Sequence, residues 1–250
     1  MVADGGAVAA APDHSAVDDL ADVLVAVHGG VVVAAGSAAM WQIGWIGHSP
    51  GVLWQLALLL WVLGGAWVLR RGVAAWPQAP SLLRLAGGVL LLWLAWLAIA
   101  EGRARGLNFL LSVFCLVWMA DIAAYFSGRA FGRRKLAPAI SPGKSWEGVW
   151  GGMAGVLALA LAWIAFDRQG LADGPSLYTL LLQRGGPLGL IVSCLFLAAL
   201  SVVGDLFESL VKRSAGAKDS SALLPGHGGV LDRIDALLPV CPLALALISA

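Results

Sequence analysis

Long apolar runs alternate with short polar connections along this chain, a pattern typical of proteins that cross a membrane several times. Seven apolar runs approach or exceed the length of a helical span, and Asp121 is the only Asp, Glu, Lys or Arg within them: residues 23–50, 51–69, 85–100, 106–126, 148–166, 185–204 and 237–250. The third is short unless residues 81–84 extend it, and the last suits a tilted or incomplete span. We therefore predict an all-α, polytopic transmembrane bundle of about seven spans.

The composition supports a membrane protein. Hydrophobic residues make up 60% of the 250 positions and charged residues 12%, about half the charged fraction of a typical soluble domain. Lipid is the natural solvent for the surplus apolar side chains. Residues 1–22, rich in Ala, Gly and Asp, are predicted to be a polar tail, followed by a membrane-embedded domain over residues 23–250. The three cysteines lie in apolar runs without the spacing of a metal or redox site.

Basic residues concentrate in two connections, residues 127–147 and 209–235. An excess of Lys and Arg marks the cytoplasmic side of a membrane protein. Two predicted spans separate these connections, so one topology places both of them inside, with Arg103 and Arg105 as the exception on the outer side. We predict a multi-pass protein of the cell's inner membrane, with its polar site facing the cytoplasm and no nucleic-acid partner.

The polar stretch from Asp205 to Asp235 is rich in groups that bind metals and phosphates. Asp205, Glu208 and Lys212 are spaced three and four apart, so a helix places them on one face. Carboxylates interleaved with Lys and Arg suit a magnesium–phosphate site, because the carboxylates hold the hard cation and the positive groups neutralise the phosphates. A plain juxtamembrane loop that contacts anionic lipid accounts for the bases but not for the acids.

Asp121 lies near the end of an apolar run, where a carboxylate is costly. Two interpretations remain open from the sequence. The side chain either faces a partner or a water-filled cavity, or it lies at the cytoplasmic interface beside an arginine.

The segment 141–147 precedes the fifth run. Pro142 and Gly143 are predicted to form a turn, and Ser145 is predicted to cap a helix that begins near Trp146. The free N–H groups of a helix N-terminus suit a phosphate, and Lys144 adds a positive charge. An ordinary basic loop is the alternative.

These motifs resemble the signature of the phosphatidate cytidylyltransferases, the CDP-diacylglycerol synthases. The C-terminal part of the signature is carried by Ser209, Lys212, Arg213, Lys218, Asp219, Pro225, His227, Gly228, Gly229, Asp232, Arg233 and Asp235. A second block is carried by Asp121, Tyr125, Gly128, Gly132, Pro138, Ser141, Lys144 and Gly148. Two departures stand out. Ile122 and Ala123 replace a small or hydroxyl residue followed by Gly, and the N-terminal part is short and unlike the family's opening spans.

The resemblance implies that the cytidylyl group of CTP is transferred to phosphatidate, giving CDP-diacylglycerol and pyrophosphate for phospholipid synthesis. It implies Mg²⁺ as cofactor, leaves open whether a monovalent cation accompanies it, and suggests a homodimer. Small residues at Gly148 and Gly152 would permit the close helix contact of such a dimer.

The same resemblance assigns roles to individual residues. Asp205, Asp232 and Asp235 are expected to bind the metal and, with Lys212, to be catalytic. The expected substrate-binding residues are Asp121, Ser141, Lys144, Arg213, Lys218, Asp219, His227, Gly228, Gly229 and Arg233.

Two alternatives remain. A related CTP-dependent transferase would use another lipid phosphate, such as an ether lipid or a polyprenol. An ion-coupled transporter would use Asp121 and Asp205 as intramembrane ion sites and would distribute polar residues through several spans. Here the polar residues cluster at one predicted membrane face, which favours an enzyme.

Overall fold

The computed structural model of the chain describes residues 29–221 and 229–249. Its helices are α1 (29–42), α2 (Gly51–Leu59), α3 (Gly65–Arg71), α4 (Ser81–Arg105), α5 (Leu107–Phe131), α6 (Trp146–Asp167), α7 (Leu177–Ser214), α8 (Leu231–Ile234) and α9 (Leu237–Ser249). A π-helical turn, Leu60–Gly64, joins α2 to α3, and a 3₁₀ segment, Val73–Gln78, precedes α4. The predicted helical fold is thus confirmed.

Five helical segments in the described residues are long and apolar enough to cross a membrane: Gly51–Arg71, α4, α5, α6 and α7. The prediction of about seven spans is not confirmed. The first predicted span begins at residues 23–28, which lie outside the described residues, as does the 1–22 tail. The last predicted span corresponds to α9, whose thirteen residues rise about 20 Å, against a hydrocarbon core of about 30 Å.

Helix α9 is apolar because protein surrounds it. Its side chains from residue 237 to residue 246 are all buried, and it contacts α2, α4, α5 and α7. A short apolar run is more often a core helix than a span. α9 therefore forms the centre of the bundle, and its N-terminal end holds the preceding polar segment against α7.

Helices α5 and α6 pack closely because small residues face each other. A Cβ on Gly152 would lie 2.8 Å from the carbonyl oxygen of Ala120, and one on Gly148 would lie 3.0 Å from that of Ala124. The Gly148–Gly152 spacing is therefore used inside the chain, and it gives no support to contact between two copies. This packing places the C-terminal half of α5 beside the start of α6.

A β-hairpin separates α5 from α6 and departs from the all-α prediction. Its strands, β1 (Lys135–Ala137) and β2 (Ser141–Ser145), pair antiparallel. Pro142 and Gly143 lie within β2, so the turn predicted there is wrong, and the chain reverses at residues 138–140. Pairing with β1 overrides the local turn preference of the two residues.

Helix α6 begins where the sequence predicts. The Oγ of Ser145 accepts a hydrogen bond from the Gly148 N–H at 3.2 Å and so caps the helix. Glu147 in the first turn accepts the backbone N–H groups of Arg133 at 3.1 Å and Arg134 at 3.2 Å. These contacts fix the hairpin against the start of α6.

Helix α7 is longer than the predicted span. Residues 185–204 form its middle, Gly186 kinks it with φ of 62°, and the helix continues to Ser214. Asp205 and Lys212 therefore lie on the last turns of a helix and not in a loop.

The opposite ends of the helices are joined by a hydrogen-bonded polar network. Asp173 accepts the N–H groups of Leu107 at 2.6 Å and Asn108 at 2.9 Å, which caps α5. Asp167 accepts the Asn108 amide at 2.8 Å and the Ser176 hydroxyl at 2.5 Å. The polar groups of this network bind one another, so they serve to join the helix ends.

Candidate active site

The first charged centre forms where β2 meets α7. Lys144 Nζ lies 2.5 Å from Asp205 Oδ2, and both side chains are half-buried. Ser209, one helical turn beyond, donates its hydroxyl to Asp205 Oδ1 at 3.2 Å. Asp121 on α5 interacts electrostatically with both Lys144 and Asp205. The fold thus brings together the two sequence blocks that were singled out separately.

Asp235 joins this centre from the link between α8 and α9. Gly204 permits the approach, because a Cβ there would lie 2.6 Å from the carbonyl oxygen of Asp235. Burial raises the pKa of Asp235 to about 7, with the negative charge of Asp205 as the next cause and smaller contributions from Glu208 and Asp121. Carboxylates from α5, α7 and the α8–α9 link therefore repel one another within one small region.

The second charged centre is built around Lys212. Its Nζ lies 2.6 Å from Glu208 Oε2, one turn earlier on α7, and 2.5 Å from Asp232 Oδ1 on α8. The Glu208 side chain is only 4% exposed. A buried carboxylate without a cation is strongly destabilising, so Lys212 compensates the charge of Glu208 and joins α7 to α8.

Asp232 also orders the backbone on either side of the second centre. It accepts the Ser220 N–H at 3.0 Å, the Ser220 hydroxyl at 2.8 Å and the Gly229 N–H at 2.6 Å. Desolvation opposes ionisation, but the hydrogen bonds from Lys212, Gly229 and Ser220 outweigh it and hold the pKa of Asp232 well below its usual range. Asp232 is therefore ionised at neutral pH.

The other predicted site residues lie at the same helix ends, and they are less buried. Ser141 is half-buried at the start of β2, whereas four charged residues are exposed on or after the last turns of α7 and on α8: Arg213, Lys218, Asp219 and Arg233. His227 and Gly228 lie outside the described residues. Gly229 acts through its backbone N–H, as given above.

The geometry leaves the predicted metal site without a preformed set of ligands. Within residues 29–221 and 229–249, no three carboxylate, imidazole or thiol groups converge on one point closely enough to hold an ion. The ammonium groups of Lys144 and Lys212 instead contact two of the predicted metal ligands, Asp205 and Asp232.

Comparison with known proteins identifies the family of the chain. Residues 17–250 match the model of the cytidylyltransferase family. The chain belongs to the cytidylyltransferase family. Three bacterial relatives, each described as a phosphatidate cytidylyltransferase, are similar to it. The relative from Haemophilus influenzae is 53% identical over 138 residues, which cover 55% of this chain and 44% of that protein.

The other two relatives extend the comparison. The Pseudomonas aeruginosa protein is 43% identical over 208 residues, covering 81% of this chain and 72% of the relative. The Bacillus subtilis protein is 41% identical over 144 residues, covering 58% and 48%. The chain thus spans about half the length of the Haemophilus and Bacillus relatives and nearly three quarters of the Pseudomonas one.

Three contacting residues were given no site role from the sequence: Glu208, Ser220 and Ser209, whose hydroxyl binds Asp205. Glu208 shares a helical face with Asp205 and Lys212, and its spacing four before Lys212 is the signal of an ion pair. The hydroxyl and N–H of Ser220 bind Asp232, which no spacing rule indicates.

Of the two residues that depart from the family pattern, Ala123 has a structural explanation and Ile122 has none. Ile122 is 54% exposed on α5. Ala123 faces Gly155 of α6, where a Cβ would lie 2.6 Å from that of Ala123. Glycine at position 155 therefore makes room for the methyl group at position 123.

We expect the stability of this family member to depend on the charge of Asp235. Because its pKa in the folded protein lies near 7 and its unfolded pKa near 3.9, the folded state binds a proton more tightly. The free energy of unfolding should therefore fall as pH rises from about 4 to about 7 and then level off. At pH 8, the free energy of unfolding of Asp235→Asn should exceed that of the parent by about 2 kcal/mol after solvent screening, so the variant should unfold at a higher temperature. Near pH 4 the two proteins should not differ.

Thermal unfolding in detergent, followed by circular dichroism without divalent cations, measures this difference. Asp173→Asn is the control of opposite sign, because hydrogen bonds from Asn108 and Leu107 lower the pKa of Asp173. Its destabilisation should be present at pH 7 and should fade as pH falls. If the difference in stability between Asp235→Asn and the parent is the same at pH 4 and pH 8, then Asp235 is not in the repulsive environment described.

Proposed function

We propose that this chain transfers the cytidylyl group of CTP to phosphatidate, giving CDP-diacylglycerol and pyrophosphate. The observation that carries the proposal is the Lys144–Asp205 ion pair at 2.5 Å, which unites two motif blocks that are distant in the sequence. The names of the relatives support the same reaction. The charged centres at the ends of apolar helices suit a reaction between a water-soluble nucleotide and a membrane lipid.

The protein needs to contribute little covalent chemistry to this reaction. An oxygen of the phosphatidate phosphate attacks the α-phosphorus of CTP, the bond from that phosphorus to the bridging oxygen breaks, and pyrophosphate leaves. Phosphatidate is already ionised at neutral pH, so no base is required. Positioning and charge neutralisation dominate such transfers. Lys144, Lys212 and the exposed Arg213, Lys218 and Arg233 are the residues that we assign to the phosphates, with Ser141 and Asp121 beside the nucleotide or lipid phosphate.

We also propose Mg²⁺ as the cofactor, with Asp205, Asp235 and Asp232 as the residues that would hold it. Carboxylate oxygens are the donors that Mg²⁺ prefers. Burial and, after it, the charge of Asp205 raise the pKa of Asp235, and a cation would relieve the repulsion between these two carboxylates. The oxygens of Asp205 already bind Lys144 and Ser209, and those of Asp232 bind Lys212, Ser220 and Gly229, so a bound cation would replace some of these partners. Bound Mg²⁺ supplies positive charge to the phosphates and to the departing pyrophosphate.

The proposal also includes the orientation of the protein in the membrane and its oligomeric state. We place both charged centres on the cytoplasmic side of the inner membrane, because CTP is cytoplasmic and the basic connections favour that side. A homodimer is expected from the resemblance to the family. The acceptor is phosphatidate in our proposal, and another lipid phosphate is the alternative.

Incorporation of radiolabelled CTP into lipid by the purified protein tests the function. We expect labelled CDP-diacylglycerol with phosphatidate, no product with diacylglycerol, and loss of product when Mg²⁺ is removed. Product from a polyprenyl phosphate but not from phosphatidate would support the related transferase. Ion flux in proteoliposomes without any CTP-dependent product would support the transporter and contradict the proposal.

A further inference from the structure

An apolar cavity of about 400 Å³ lies between the Gly51–Arg71 segment, α4 and α7. Its volume is within the range of ligand pockets, roughly 300–1,000 Å³. Aromatic and aliphatic side chains form most of its wall, and its charged lining residues are Arg84, Glu208 and Lys212. The cavity therefore adjoins the second charged centre.

The charged and apolar parts of the cavity are separated along the helix axes. Arg84 is in the first turn of α4 and Lys212 is in the last turns of α7, at the bundle end that carries both charged centres. The apolar wall continues along α4 to Leu92, about 12 Å beyond Arg84 at about 1.5 Å per residue. The cavity thus has a charged mouth and an apolar interior.

Arg84 supplies a positive charge that no ion pair within residues 29–221 and 229–249 neutralises. Lys212 is compensated by Glu208 at 2.6 Å and Asp232 at 2.5 Å. Among the ion pairs of the described residues, none includes Arg84, and its buried Nε lacks a hydrogen-bond partner there. A buried donor without an acceptor is costly.

The position of Arg84 on its helix adds a second cost. The first turn of a helix carries the positive end of the helix dipole, which disfavours a cation. Residues that break a local rule in this way are expected at functional sites. A ligand that brings a negatively charged acceptor would remove both costs.

We propose that Arg84 binds the phosphate of the acceptor lipid and that the apolar cavity holds one of its acyl chains. This inference rests on the proposed function, in which the acceptor is a lipid phosphate. The planar guanidinium group suits two phosphate oxygens, and the apolar interior suits a hydrocarbon chain. A nucleotide has no comparable apolar part with which to fill it.

Binding of a fluorescent long-chain phosphatidate to the purified protein in detergent, without CTP or metal, tests the role of Arg84. We expect Arg84→Gln to weaken binding about ten-fold, because a charge-assisted hydrogen bond is lost, and to leave binding of the uncharged diacylglycerol unchanged. Arg70→Gln is the matched control, since Arg70 is an exposed arginine of α3 at the same bundle end that does not line the cavity. Equal binding of phosphatidate by the two variants would overturn the assignment.

Gly87→Leu tests the acyl-chain site independently. A Cβ on Gly87 meets no atom within 4 Å, and glycine has the lower helix propensity, so the leucine should enter the cavity without harming α4. We expect KM for long-chain phosphatidate to rise about ten-fold because the chain loses apolar contact, with KM for CTP unchanged and a much smaller effect for a six-carbon acyl chain. Equal effects on long and short chains would overturn the chain site.

The two experiments separate this inference from the proposed function. Binding of phosphatidate that depends on Arg84, without any transfer from CTP, would refute the proposed function and leave the lipid site standing. Normal transfer from CTP by Arg84→Gln and Gly87→Leu alike would refute the lipid site and leave the proposed function standing.

Discussion

Asp205→Asn is expected to lower CTP-dependent product formation about a thousand-fold, while the protein still inserts into the membrane and unfolds near the parent's temperature. Asparagine keeps the shape of the side chain and an oxygen for the Ser209 hydroxyl, but it removes the charge that holds Lys144 at 2.5 Å. It also removes a proposed ligand of Mg²⁺. The loss should appear in kcat and should not be recovered by raising CTP.

Asp173→Asn is the matched control for that loss. Asp173 is an exposed carboxylate at the opposite end of the bundle, where it caps α5. Its replacement should lower stability and leave turnover near that of the parent. Turnover of Asp205→Asn within ten-fold of the parent would contradict the assigned role, and an equal loss in both variants would indicate general destabilisation.

The helical framework follows from the apolar runs, because a long apolar run has few stable alternatives to a helix in lipid. The boundaries follow less well. The sequence places the sixth span at residues 185–204, whereas α7 extends from Leu177 to Ser214. Charged residues end a hydropathy run without ending a helix, since Glu208 and Lys212 pair along one helical face.

Tertiary contacts determine what local patterns leave open. Pro142 and Gly143 favour a turn locally, yet they lie in β2, since this strand pairs with β1. The apolar run of α9 resembles a truncated span until the neighbouring helices that enclose it are known. Such features depend on partners that are distant in the sequence, and no spacing rule within the run contains them.

The sequence pattern singled out most residues of the two charged centres, but it did not predict how they pair. Spacing placed Asp205, Glu208 and Lys212 on one face, and the structure agrees. The contact between Lys144 and Asp205 depends on how β2 packs against α7. The contact between Asp232 and Lys212 depends on how α8 packs against α7. The structure adds that lysines already neutralise both carboxylates.

Polar groups at the opposite end of the bundle bear on the transporter alternative. Asn108 and Asp167 lie there, far along the helices from the charged centres. Asp167 accepts the Asn108 side-chain amide and the Ser176 N–H before α7, and Asp173 accepts the Asn108 backbone N–H at the start of α5. Groups occupied in this way cap helices and do not form an ion path between the two ends.

Lys212→Met should affect both folding and activity. It leaves the Glu208 carboxylate, 4% exposed, without its cation, which is expected to lower the free energy of unfolding by about 3–5 kcal/mol. Thermal unfolding in detergent measures that part. Activity should be lost as well, because Lys212 is assigned to a substrate phosphate, but a destabilised protein cannot show this alone.

The double variant Lys212→Met with Glu208→Gln separates the two effects. Neutral glutamine removes the buried charge that methionine leaves behind, so stability should return towards that of the parent. Turnover should stay low, since no ammonium group remains beside Asp232. If the double variant regains turnover together with stability, then Lys212 is a structural residue that serves Glu208. If it is stable and inactive, the ammonium group acts on the substrates.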